Sequence, residues 1–313
     1  MTAPEDDDRT ASLMTPAKLA QLKLRAAPAA SPGAWLDQMA ADAGSGHVRK
    51  LLELRQQVEA AIRGREGEFD AAAASCKALH IALEKLDFTL VQPRGLLARA
   101  LGKGKGAASS YSTQHGRVVQ AGDDLADDIR ALQKQQAQAA GADRIQLEFD
   151  AEVHALEKIM EQGARWLQDM RNQLKTRQAR GGDAAAQLQI REDTARCEVL
   201  VERLKVLRAV TSATQQAMQR CQAAKARRLG LVGTLQQLLD EEWKSGKQKL
   251  AVVARQVEED QAATDGVERA GRAREALQSA LKQAIDDCAT VQALHQAAAD
   301  ELAALQVPLQ AAC

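Results

Sequence analysis

The stretch from Leu200 to Leu239 constrains the fold more than any other, because stepping through it alternately by four and by three residues traces one apolar seam. The seam reads Leu200, Leu204, Leu207, Thr211, Thr214, Met218, Cys221, Lys225, Arg228, Val232, Leu235 and Leu239, and eight of these twelve positions are apolar. Apolar side chains at this spacing share a face only on a helix. Val210, Ala217, Ala224, Leu231 and Leu238 recur beside the seam every seven residues, so the stripe is wider than a two-stranded coiled coil needs. One helix here has to touch at least two others, over a length of roughly 60 Å.

The same repeat recurs along the chain. A segment over 47–91 carries Val48, Leu51, Arg55, Val58, Ile62, Arg65, Phe69, Ala72, Cys76, Leu79, Leu83, Leu86 and Leu90 in phase, with Gly64 and Gly67 marking a kink or break and Pro93 a stop. A helix over 111–180, interrupted near 140–143, bears Phe149, Val153, Leu156, Met160, Gly163, Leu167, Met170 and Leu174. Gly181 and Gly182 end it, and Asp183 is placed to cap the next. The organising seam belongs to a helix over 184–263. Beyond Leu239 it continues through Trp243, Gly246, Leu250, Val253 and Val257 only if one three-residue step becomes four, a stutter that locally unwinds a supercoil. A last helix over 267–307 repeats the pattern from Val267 to Leu305. Short connections make neighbouring helices antiparallel. The expectation is an all-α protein, an elongated antiparallel bundle of long heptad-patterned helices over 47–313, preceded by a disordered tail over 1–46 with a short helix over 16–26 and Trp35 as its one large anchor.

Composition agrees. The chain has three Trp, one Tyr and three Phe in 313 residues, so its seams are filled by Leu, Val and Ala and its stability is spread over many small contacts. Acidic and basic residues balance at 42 each, which argues against a dedicated nucleic-acid binder, since phosphate neutralisation needs a basic surplus on one face. The sequence lacks a run of eighteen apolar residues and opens on the acidic MTAPEDDDRT, so the expected address is the cytoplasm. Five widely spaced cysteines, an odd number, suit reduced thiols.

Four features invite chemistry. The linker over 92–110 joins glycines to Arg94, Arg99, Lys103 and Lys105, a candidate contact for an anion or a membrane surface and otherwise a solvated hinge. Cys76, Cys221 and Cys288 fall on seams, as Cys197 does on an extended one, where thiolates are disfavoured; only Cys313 looks exposed. Cys76 with His80, and Asp150 with His154 and Glu157, share helical faces but lack the convergence of four ligands that structural zinc wants. The run Asp123, Asp124, Asp127, Asp128 resembles a magnesium-diphosphate motif, for which Asp286 and Asp287 would be the second half; in a chain so poor in aromatics it reads better as a solvated face. Within the organising seam, Lys225 and Arg228 follow Thr211 and Thr214. Buried cations need partners, so they meet acids such as Asp169 or Glu161, mark where the bundle opens, or bind an anion.

The segments QPRGLLARALGKGKGAASSY, FDAEVHALEKIMEQGARWL, ERLKVLRAV with the glutamine-rich stretch after it, and LLDEEWK resemble, in that order, the toxic anion resistance (TelA-like) family, over Leu86 to Val253. Leu204, Arg208 and Val210, and the pair Trp243 and Lys244, match the family pattern; Ala213, Gln216, Ala217 and Gln219 depart from its central core. The resemblance implies a cytoplasmic, all-helical, non-enzymatic protein linked to tolerance of tellurite and similar stresses. It supplies no catalytic residue, cofactor or metal. With the wide seam it leads to a divergent member acting as a scaffold or adaptor through unidentified protein partners, with Thr211, Thr214, Lys225, Arg228 and Trp243 as partner-facing candidates. The seam could also close between two copies. The alternatives are a peripheral membrane stress factor using the basic linker and, behind it, a thiol or magnesium-diphosphate enzyme.

Overall fold

In the computed structural model, which describes residues 43–91, 103–137, 142–259 and 263–313, the seams become helix faces and no described residue lies in a strand. The fold is an all-α helical bundle. Its helices are α1 (Ser45–Arg63), α2 (Asp70–Glu84), α3 (Lys103–Ala137), α4 (Ala142–Arg180), α5 (Ala184–Gln237), α6 (Lys244–Glu258), α7 (Thr264–Ala304) and α8 (Gln306–Ala311). A 3-10 turn at Phe88–Val91 follows α2, and a π-helical turn at Leu238–Trp243 joins α5 to α6. The expected tail, with its short helix and Trp35, lies outside the described residues up to position 42.

Within the span expected as one bundle, the described residues fall into two compact units. Of the described residues, one comprises 43–49, His154–Thr211 and Ala312–Cys313; the other comprises those within Lys50–Val153 and Ser212–Ala311. The seam runs through Thr211 and Ser212 without a break, so periodicity carries no mark of that boundary.

In the second unit α2 lies against both α3 and α7, and α6 against both of the same helices. Phe69, Ala72, Cys76, Leu79 and Leu83 meet Tyr111, Val118, Leu125 and Ile129 of α3 and Leu277, Leu281, Cys288 and Val291 of α7 in one buried cluster. The break foreseen at Gly64 and Gly67 is real. Gly67 has φ +73°, a backbone state that side chains resist, and the turn it makes delivers Glu68 and Phe69 to the interior. Arg55, a cation on the α1 seam, is buried with Nη1 donating to Glu59 Oε2 at 2.6 Å and to the Leu302 carbonyl at 3.2 Å.

The first unit pairs the C-terminal half of α4 with the N-terminal half of α5, Leu167, Met170 and Leu174 against Cys197 and Leu200. Asp193, buried, accepts from Arg177 and Arg196 at 3.2 Å each. Asp183 caps α5 as foreseen, its Oδ1 accepting the Ala186 N–H at 2.8 Å. Arg203 clasps the start of α1, its Nη2 donating to the Ala43 carbonyl at 3.0 Å and to Ser45 Oγ at 3.1 Å.

Element boundaries shift in two places. The linker expected over 92–110 is shorter, because α3 already begins at Lys103. Gly104 and Gly106 each weaken that first turn by about 1 kcal/mol, while burial of Tyr111 and Val118 downstream contributes a few kcal/mol in the other direction. The long helix expected over 184–263 is divided by the π turn, which takes up the stutter foreseen after Leu239. A wider turn absorbs the extra residue, so Trp243, Gly246, Leu250 and Val253 return to the buried face. Trp243 then lies so close over Gly122 of α3 that any side chain at 122 would overlap its ring.

Candidate functional site

Lys225 and Arg228, one turn apart on α5, line the wall of a cavity of about 80 Å³ inside the second unit. Val58, Ala61, Ile62 and Arg65 come from α1 and the turn after it, His295 from α7, and Ile145 and Gln146 from α4. Met218, Cys221, Gln222 and Ala224 complete the α5 side. The lining thus combines an apolar body with Arg65, Lys225 and Arg228, and it contains no carboxylate among the described residues. A neighbouring cavity of about 410 Å³ shares Ile62, Arg65 and His295 with it.

The interior supports Arg228 only in part. Its side chain is 3 % exposed, and Nη1 donates to Glu68 Oε1 at 2.9 Å. Nε of Arg228 and Oε2 of Glu68 are buried without a hydrogen-bond partner in the protein. Sequence reasoning named Asp169 and Glu161 as acids for these cations. The structure gives Arg228 a different one, Glu68, delivered by the Gly67 turn from 160 positions away, and Glu161 pairs within α4 with Arg165 at 3.6 Å. Burial, then the Arg228 charge, hold the Arg65 guanidinium below its usual range. Burial also depresses His295, with Arg228 adding to the effect and a hydrogen bond to the Ala224 carbonyl opposing it.

Thr211 and Thr214 are buried on α5, and neither hydroxyl has a hydrogen-bond partner. They belong to different units and do not join the cavity. Trp243 is buried too, with the Lys247 ammonium 5.6 Å from its ring centroid. It packs against α3 over Gly122. Arg94 and Arg99 lie outside the described residues, and Lys103 and Lys105 stand in the first turn of α3.

The remaining candidates separate. Burial pushes the Cys76 thiol up to about 12, with Cys288 and Asp128 adding, and it raises Cys221 and Cys288 to about 11. Cys197 is raised by burial as well. Cys221 is only partly buried, against the expectation that Cys313 alone would be accessible. The acidic run spends its charge locally: Asp123 binds Lys247 at 2.6 Å, Asp127 binds Arg130 at 2.5 Å, and Asp128 accepts from Ser75 Oγ at 2.6 Å. Among the described residues no three His, Cys, Asp or Glu side chains converge so as to hold a metal ion. No described helix is long and apolar enough to cross a membrane.

A second feature, in the first unit, escaped the sequence reading. Leu188 and Val199 on α5 are each 59 % exposed, and Val206 is 41 % exposed. At 3.6 residues per turn, steps of eleven and seven keep them within about 20° of one line, and exposed Ala195 falls on the same line. Glu192 and Glu202 flank it, held by Arg196 at 4.0 Å and Lys205 at 2.7 Å within the helix. The spacing that signals a heptad was legible throughout α5. The stronger seam on its other face masked this one.

No protein-family model, curated protein or solved structure matches the chain.

Proposed function

We propose that this protein is a non-enzymatic helical scaffold of toxic-anion or envelope-stress tolerance, presenting the outer face of α5 to a helix of another protein. The observation that carries this reading is the exposed line of Leu188, Ala195, Val199 and Val206 at heptad spacing, on a helix whose opposite face is already buried. Charge selects the occupant. An antiparallel second copy that matched Leu188 with Val206 would set Glu192 against Glu202, and a parallel copy in register would set each glutamate against itself. Like charges across a helix pair are unfavourable, so the complementary partner is an amphipathic helix with basic residues facing the two glutamates. The resemblance to the TelA-like family supports the cellular setting, and the raised thiol pKa values favour a binding role over thiol chemistry.

The test is genetic and physical together. A strain lacking the gene is expected to lose tellurite tolerance and to regain it with the wild-type gene. A Val199→Glu/Val206→Glu variant, verified as folded by circular dichroism, is expected not to restore it. Unchanged tolerance in the deletion strain would reject the cellular role, and full rescue by the variant would reject the α5 face. A dimer in light scattering that the double variant dissolves would give the face to a second copy instead.

A further inference from the structure

We infer that the cavity walled by Lys225 and Arg228 is a binding site for a small carboxylate with a short aliphatic tail. The inference stands independently of the α5 face, which belongs to the other unit. Arg228 is almost fully buried, and one of its donors, Nε, meets no protein acceptor. A buried guanidinium N–H left unpaired is costly, and Glu68 occupies only one of the donor sites of the fork. Arg65 and Lys225 bring two more cations to the same lining, in which no carboxylate stands among the described residues. The desolvated charge of Arg228 is stabilised by an anion that also accepts hydrogen bonds, and the partly exposed Arg65 and Lys225 add to the positive field there.

The rest of the lining decides which anion. Val58, Ile62, Ile145 and Met218 are apolar, and a fully hydrated oxyanion would leave them unused. On the scale of a cavity of about 150 Å³ that holds benzene, 80 Å³ encloses about three or four non-hydrogen atoms. That takes the carboxylate at the cations and the first methylene, and the rest of a butyrate-sized tail runs over Val58 and Met218 toward the open side of the cavity. The adjoining cavity past Ile62, Arg65 and His295 leaves room for a longer or branched chain.

Butyrate, 1-butanol and inorganic phosphate, titrated into the full-length protein and followed by saturation-transfer NMR, test each half of this assignment. Butyrate is expected to bind, and both other probes at least about tenfold more weakly, since a charge-assisted hydrogen bond and a buried propyl group each contribute on that order. Removing Arg228 would strand Glu68 in the interior, so the diagnostic variants are the partly exposed Arg65→Gln and Lys225→Gln, each expected to weaken butyrate about tenfold with the circular dichroism spectrum unchanged. Val58→Phe, which fills the apolar end, is expected to abolish binding. Equal binding of phosphate would overturn the aliphatic part of the assignment, and equal binding of butanol the cationic part. No binding of butyrate, or binding indifferent to all three variants, would overturn the site.

Discussion

His295 and His115 are both held below the ordinary histidine pKa of 6.5, in each case chiefly by burial. Around His295 the Arg228 and Arg65 charges depress it further, while Glu68 and the Ala224 carbonyl pull the other way. Around His115, Lys247 depresses it and Glu258 opposes. A histidine whose folded pKa lies below its unfolded one binds its proton more readily in the unfolded chain. Its contribution to stability is therefore complete above about pH 6.5 and is lost as pH falls through the folded value. The urea midpoint should be lower at pH 5.5 than at pH 7.5, with a slope of at most about 1.4 kcal/mol per pH unit for each group. His295→Gln should flatten that dependence; equal midpoints at the two pH values, or a variant as steep as the wild type, would contradict the account. At this scale the sequence said that Lys225 and Arg228 needed partners, because a cation on a seam cannot remain alone. It could not say which, because Glu68 reaches Arg228 through the positive-φ turn at Gly67 and not through helical spacing.

The π turn at Leu238–Trp243 is the element whose origin can be tested most directly. Upstream of it the seam steps by four and three in alternation, and across it two steps of four occur in succession, from Leu235 to Leu239 and from Leu239 to Trp243. One surplus residue in a helix either rotates everything downstream by about 100° or is taken up in a wider turn. The wider turn wins here because it returns Trp243 to Gly122, and Leu250 and Val253 to the core. Deleting exposed Glu241 should restore the regular alternation, convert the turn to α-helix and leave the urea midpoint within about 1 kcal/mol of wild type. Deleting exposed Ala226 removes a residue where none is surplus and turns Arg228, Leu231 and Leu235 off their face, at a cost of several kcal/mol. Urea melts of the two deletions decide it, and equal damage from both would mean that the turn has some other cause. The stutter was legible because it is a fault in a strict period. The start of α3 was not, because glycines and lysines argue locally for a loop, while the burial that overrides them comes from Tyr111 and Val118 farther along.

Across the whole chain the two units are unequally covered, and their dynamics should differ accordingly. In the second unit α2 is flanked by α3 and α7 at once, so Leu79 and Leu83 are fully buried. In the first, the halves of α4 and α5 cover each other on one face, and the far face of α5 shows Leu188, Val199 and Val206 to solvent. Apolar burial sets the free energy of local opening, and each 1.4 kcal/mol changes the open population about tenfold. Amides over 195–206 should therefore exchange with deuterium at least about ten times faster than those of Leu79, Leu125 and Leu281 in the native protein. The buried Asp193, with an arginine on either side, does not reverse the expectation, because a buried ion pair recovers little beyond the desolvation it incurs. Indistinguishable exchange in the two sets would mean that the protein opens as one cooperative body. It would also weaken the case for a partner on α5, since a face already as protected as the core has little stability left to gain from being covered.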